Sequence, residues 1–195
     1  MRYSQIPKDE INQMARDVYQ NAVAHGWHDE KRPVEHWLCL VISEVMEAVE
    51  ADRKDRHACV GMFRSSRRHN EVTGFECFIK DTFEDELADA AIRLLDMAGL
   101  YATELEPSHY EEADKELSIP ETSFTLIAYT LSAELAPFMD ADANLWDIHL
   151  DFIINDVICQ LFMVAERYSF DLMEHIRLKM MYNANRPFKH GGKKY

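Results

Sequence analysis

Two pairs of carboxylates at helical spacing are the residues of this sequence best suited to do chemistry. Glu44 and Glu47 form the first pair, and Glu86 and Asp89 form the second. On a helix, this spacing puts both side chains of a pair on one side, about one turn apart. Two such pairs facing each other would repel strongly, and a hard divalent cation bound by oxygen ligands would relieve that repulsion.

The apolar neighbours of these acids bear on whether they bind a metal or only face water. At about 100° per residue, Glu44 points the same way as Leu40 and Ala48, and Glu47 lies at the edge of that apolar face. A carboxylate in an apolar seam is costly unless it is paired or binds a metal. Acidic residues at helical spacing more often form a solvated face, so both interpretations stay open at this point.

The elements that must position these acids have helical patterns. Pro33 opens a helix that runs to about Arg53, and Thr82 is an N-cap for one that runs to about Ala102. Strand patterns are nearly absent, so we predict an all-α fold, a bundle of about four core helices with shorter additions. Further helices are predicted over residues 8–25, 108–117, 121–139, 144–167 and 170–184, the last with Ser169 as its cap.

Residues 53–80 are predicted to form a long loop between the two acidic helices. The loop carries cations in an otherwise acidic chain, and long loops in compact domains are often functional. One hypothesis is a mobile lid whose cations meet phosphate, and the alternative is a solvated basic loop that offsets nearby acids. The cations are Arg53, Lys54, Arg56, Arg64, Arg67 and Arg68.

The order of three motifs resembles the MazG-like all-α nucleoside triphosphate pyrophosphohydrolases. The motifs are E-x-x-E at 44–47, E-x-x-D at 86–89 and K-x-x-x-N-x-x-R-P at 179–187. The resemblance covers residues 34–101 and 157–195 and covers 102–156 poorly. We predict a single domain over residues 1–195, in which 102–156 is a helical insertion or, from a faint internal similarity to the two acidic helices, a degenerate second repeat that has lost its acids.

The resemblance also implies an activity, which is magnesium-dependent hydrolysis of a (deoxy)nucleoside triphosphate to the monophosphate and pyrophosphate, for nucleotide-pool control. Mg²⁺, with Mn²⁺ as a substitute, would be held by Glu44, Glu47, Glu86 and Asp89. Glu44 and Glu47 would be the catalytic residues, and Glu47 would act as the general base. Substrate would be bound by Lys179, Asn183, Arg186, His190 and Lys193. A dUTP-type or phosphoribosyl-ATP-type specificity stays open.

Several neighbours of the motifs add to this prediction. Asp96 lies on the acidic stripe of Asp89 and is either a further ligand or a partner of one, and Arg93 is expected to pair with Asp89 or Asp96. Ser43 stands where many members of the family carry an acid. We expect a homodimer, although residues 121–167 would complete the bundle within one chain if they mimic a partner subunit.

Composition narrows the class of protein. Apolar residues make up 47% of the 195 residues, enough for one domain with its own core. The formal net charge of −14 argues against nucleic acid as a partner. Without a membrane-length apolar run or a signal-peptide pattern, we expect a cytoplasmic protein with reduced cysteines, with Cys39 and Cys159 packed in the core. The competing class is a helical interaction module with a degenerate metal site.

Overall fold

The computed structural model describes residues 2–66, 70–110, 123–136, 146–192 and 194. All regular structure within these ranges is helical and none of it is strand, which confirms the predicted all-α class. Within the same ranges, no helix combines the length and the apolar character that crossing a membrane requires. The predictions for Arg67, Arg68, Lys193 and residues 111–117 lie outside the described residues.

Eight helices of at least seven residues are present in the described ranges, and we number them in chain order. The predicted helices that carry the two acidic pairs are confirmed as α2 and α5. A short left-handed turn, Lys189–Gly192, follows the last helix. The helices are α1 (Lys8–Ala24), α2 (Val34–Arg53), α3 (Val60–Ser66), α4 (Glu71–Phe78), α5 (Phe83–Tyr101), α6 (Phe124–Leu135), α7 (Trp146–Arg167) and α8 (Leu172–Ala184).

Helix α5 is the central element, because it packs against α1, α2, α7 and α8 and buries 14 of its 19 residues. The hydroxyl of Thr82 caps it by accepting a hydrogen bond from the amide of Asp85 at 3.4 Å, as predicted. Gly99 allows α1 to approach, since a Cβ there would lie 2.4 Å from Cβ of Tyr19. A helix buried on so many sides carries its own acidic residues into the interior.

The prediction of a long loop over residues 53–80 is wrong, because this segment contains α3 and α4. Asn70 caps α4 by accepting a hydrogen bond from the amide of Thr73 at 2.9 Å. Phe63, Phe75 and Ile79 form a second apolar cluster with Tyr182 of α8, separate from the main core. The sequence pattern misses α3 and α4 because their stability depends on Tyr182, which is far away in the chain. Two short helices gain little stability until their apolar residues are buried.

Two smaller predictions are also corrected by the structure. Asp171, not Ser169, caps α8, and its carboxylate accepts from the amide of Glu174, while Ser169 has a left-handed φ of 63°. Cys159 is buried as predicted, but Cys39 is exposed, because it points away from the face of α2 on which Trp37, Val41 and Ala48 are buried. All four cysteines are free.

We expect Phe75→Ala to open α3 and α4 without opening the main core. The ring of Phe75 stacks on that of Tyr182 with centroids 4.5 Å apart, and removing a buried Phe side chain costs about 3–5 kcal/mol. Hydrogen exchange should accelerate across residues 60–78 and stay slow in α2 and α5. Cys77→Ala, at an exposed position of the same helix, is the control. Equal acceleration in α5 would contradict the separation of the two clusters.

Candidate metal and phosphate site

Helices α2 and α5 lie side by side and turn acidic residues into one cavity of about 320 Å³. Trp27, from the connection between α1 and α2, forms part of its wall together with Asn21 at the end of α1. The acids that line it are Glu44, Glu47, Asp81, Glu86, Asp89 and Asp96, and the cationic and polar residues include Lys80, Arg93, Lys179, Asn183, Arg186 and His190. Both acidic pairs and the C-terminal motif therefore share one cavity.

Three of the four predicted metal ligands converge. One carboxylate oxygen from each of Glu44, Glu86 and Asp89 lies within 4.8 Å of the others. Opposite ligands of Mg²⁺, each at about 2.1 Å, are about 4.2 Å apart, so a small side-chain adjustment would suit the donor set to Mg²⁺ or Mn²⁺. Glu47 lines the same cavity but is exposed and lies outside this closest group, so its role as a ligand stays a prediction.

The pKa values of two of the converging carboxylates are raised, although Arg93 and Lys179 lie in the same cavity. Burial, with repulsion by Asp89, raises the pKa of Glu86 to about 8. Burial and Asp89 also raise the pKa of Glu44 to about 7, against the opposing effect of Arg93. A bound divalent cation would favour the charged form of both groups, and oxygen donors are what hard cations bind. The residues present therefore fit Mg²⁺ or Mn²⁺.

Arg93 pairs with Glu44, not with Asp89 or Asp96 as predicted. Its Nε and Nη2 both donate to Oε1 of Glu44, at 3.1 and 3.0 Å. The physical reason is that α2 packs directly on α5, which brings Glu44 nearer to the guanidinium than the acids of its own helix. Asp96 instead pairs with His28, whose Nε2 lies 2.8 Å from Oδ1.

Lys179 of the C-terminal motif is already engaged by two carboxylates of α5. Its Nζ lies 2.8 Å from Oδ2 of Asp85 and 2.6 Å from Oδ2 of Asp89, and only 7% of its side chain is exposed. Although burial acts to lower the pKa of Lys179, Asp89 and Asp85 raise it, so the ammonium stays charged. Lys179 thus ties α8 to α5 at the edge of the converging carboxylates, and its predicted phosphate contact stays a prediction.

Asp85 is a site residue that our sequence reasoning missed. Its side chain is fully buried, and Oδ2 accepts from both Lys179 and the amide of Asp81. The available signal was its spacing, since Asp85 precedes Asp89 by four residues and therefore shares its side of the helix. The local sequence pattern indicates only the start of a helix here, and nothing in it indicates the distant lysine.

Three more of the predicted substrate residues, Asn183, Arg186 and His190, also line the cavity. Asn183 is buried, and its Oδ1 has no hydrogen-bond partner among the described residues. Arg186 lies over the ring of Tyr182, with 5.7 Å from Cζ to the centroid. His190 contacts Trp27, which also lines the cavity, edge to face with ring centroids 5.0 Å apart. The amide of Lys189 donates to His25 O at 3.0 Å and thereby fixes the final turn against α1.

We expect Asp85→Asn to lower the free energy of unfolding by about 3–5 kcal/mol, because it removes one partner of a buried ion pair. Urea unfolding followed by circular dichroism measures the change. Asp9→Asn, at an exposed position in the first turn of α1, is the control. A loss no larger than that of the control would show that Asp89 alone satisfies Lys179.

We expect the metal-free protein to lose stability as pH rises. The pKa of Glu44 is raised to about 7 and that of Glu86 to about 8, so the folded state binds protons more tightly than the unfolded state. The stability that these two protonated groups contribute is complete below the ordinary carboxyl pKa. It is lost as pH rises through the raised pKa values of Glu44 and Glu86 in the folded state. Urea unfolding between about pH 5 and pH 9 should show the fall, with a smaller fall for Glu86→Gln.

The exposed Glu71→Gln is the matched control for this pH series and should keep the wild-type profile. A profile for Glu86→Gln that is parallel to wild type would contradict the raised pKa of Glu86. Saturating Mg²⁺ should restore stability at high pH, because a bound cation favours the charged carboxylates.

Comparison with known proteins finds no relative of this chain. No family model matches the sequence, and no curated protein or solved structure is significantly similar to it. The resemblance to the MazG-like enzymes therefore depends on the acidic motifs and the C-terminal motif, and membership of that family stays a prediction.

Proposed function

We propose that this protein hydrolyses a nucleoside triphosphate to the monophosphate and pyrophosphate with Mg²⁺ or Mn²⁺ as cofactor. The observation that carries the proposal is the single cavity in which three converging carboxylates meet the cations of the C-terminal motif. A triphosphate needs this combination, since its metal requires carboxylate oxygens and its phosphate oxygens require cationic donors. The cut between the α and β phosphorus follows from the order of the motifs, which resembles that of pyrophosphohydrolases.

Each group has a distinct task in this reaction. Glu44, Glu86 and Asp89 would hold the metal, which supplies Lewis-acid polarisation of the phosphate oxygens and a lower pKa for a bound water. Glu47, exposed at the edge of the same cavity, would take the proton from the attacking water. The oxygen of water adds to the α-phosphorus, and the bond between the α-phosphorus and the oxygen that bridges it to the β-phosphorus breaks. Pyrophosphate leaves with that bridging oxygen. Arg186 would bind the charge of the leaving group.

The nucleoside end of the substrate would lie near Trp27 and Asn183. The unpartnered, buried Oδ1 of Asn183 is an acceptor in need of a donor, and sugar hydroxyls and base amides are donors. The indole of Trp27 offers an aromatic surface in the same wall. A ligand that satisfies Asn183 would remove the cost of an unmatched buried carbonyl, which supports a nucleotide over inorganic phosphate alone.

The test is release of pyrophosphate from a panel of ribo- and deoxynucleoside triphosphates with Mg²⁺. We expect Glu44→Gln and Glu47→Gln each to lower kcat/KM at least about 100-fold, the lower end of general-base and charge-stabilising effects. Glu50→Gln is the matched control, since Glu50 is exposed one turn beyond Glu47 and pairs with Arg53 and Lys54. In H₂¹⁸O, the label should enter the monophosphate and not the pyrophosphate.

Two results would count against the proposal. Label in the pyrophosphate would place the attack on the β-phosphorus and would contradict the proposed bond cleavage. No pyrophosphate from any nucleotide, together with no change in thermal stability at millimolar Mg²⁺, would favour the interaction module with a degenerate metal site.

A further inference from the structure

Arg93 is the cation nearest to the metal site that no motif accounts for. It lies one turn beyond Asp89 on α5, and 32% of its side chain is exposed in the cavity wall. Its Nε and Nη2 both donate to the same oxygen, Oε1 of Glu44. A guanidinium carries five N–H donors, so among the described residues most of the donor capacity of Arg93 is left for another acceptor.

The contact between Arg93 and Glu44 competes with metal binding. Glu44 is one of the three carboxylates that converge, and its lone pairs are needed both by Arg93 and by a divalent cation. Two positive groups that share one buried carboxylate repel each other, and the repulsion is stronger at a site of low dielectric. Binding of the divalent cation therefore weakens the hold of Glu44 on Arg93.

A triphosphate bound in the same cavity would offer the released guanidinium an acceptor. A triphosphate brings oxygens whose geometry matches the planar fork of Arg, and such pairs are among the strong hydrogen bonds of proteins. The position of Arg93 on α5, beside the metal ligands, would place this fork next to a phosphate that the metal also contacts. Lys179 is less suited to such an exchange, because Asp85 retains it from the buried side.

We propose that Arg93 is a further phosphate-binding residue, which neutralises Glu44 before the divalent cation binds and transfers to a phosphate of the substrate afterwards. This inference rests on the proposed function, because it assumes that metal and polyphosphate occupy the cavity together. It assigns to Arg93 two effects of opposite sign. The residue opposes binding of the metal alone and strengthens binding of polyphosphate in the presence of metal.

The experiment uses Arg93→Gln and two ligands on the intact protein, with isothermal titration calorimetry at pH 8. Mn²⁺ alone should bind the variant at least about threefold more tightly, because a like charge near the ion is removed. Inorganic tripolyphosphate with saturating Mg²⁺ should bind at least about tenfold more weakly, as expected for the loss of charged hydrogen bonds. Arg177→Gln, an exposed arginine of α8 paired with Glu10, is the control and should leave both affinities unchanged.

Arg93→Lys keeps the charge and removes the fork. We expect its affinity for Mn²⁺ to stay within about twofold of wild type and its affinity for tripolyphosphate to fall about threefold or more. If Arg93→Gln does not fold, Arg93→Lys still tests the inference, because its ammonium preserves a partner for Glu44. Unchanged tripolyphosphate binding in Arg93→Lys would then overturn the inference.

The outcomes separate this inference from the proposed function. Weaker binding of both ligands by Arg93→Gln would indicate a purely structural residue and would overturn the inference, as would no change in either affinity. Wild-type protein that binds tripolyphosphate with no dependence on Mg²⁺ would overturn the proposed function itself, and the inference with it. Tighter Mn²⁺ binding with weaker tripolyphosphate binding is the result that supports the proposal.

Discussion

The burial of acidic side chains along one seam of α5 is the constraint on which the rest of the structure depends. Glu44, Asp85, Glu86 and Asp96 are all largely removed from water, and Asp89 is half-buried among them. Each buried charge is costly unless a counter-charge or a metal lies beside it. The chain meets this requirement with basic side chains drawn from three different elements, and the pairs that result hold those elements in place.

These polar pairs connect parts of the chain that are far apart in sequence. Lys179 brings the C-terminal helix to the start of α5, and His28 fixes the connection between α1 and α2 to Asp96 near the other end. Trp27 is carried into the cavity wall by that connection. The same contacts that balance charge therefore assemble the phosphate-binding and nucleoside-binding ends of the proposed site. Glu86 is the exception, because no ion pair among the described residues reaches it.

The balance of cations also explains how a site with this many acids can exist before any ligand binds. Arg93 and Lys179 neutralise Glu44 and Asp89 from the two sides of the cavity, one from α5 itself and one from α8. Exchange of such partners for metal and phosphate requires only side-chain movement, since the helices are held by their apolar faces. A helical bundle is well suited to this, because the backbone hydrogen bonds of each helix are satisfied internally.

The sequence by itself determined the all-α class, the helices that carry both acidic pairs and the inward position of Glu44, because these follow from local periodicity and capping. It did not determine helices α3 and α4, the partner of Arg93 or the role of Asp85. These depend on contacts between residues that are 49 to 94 positions apart for the ion pairs, and on Tyr182 for the helices. Only tertiary packing decides which buried charge lies beside which, because helical spacing specifies the face of a helix and not its neighbour.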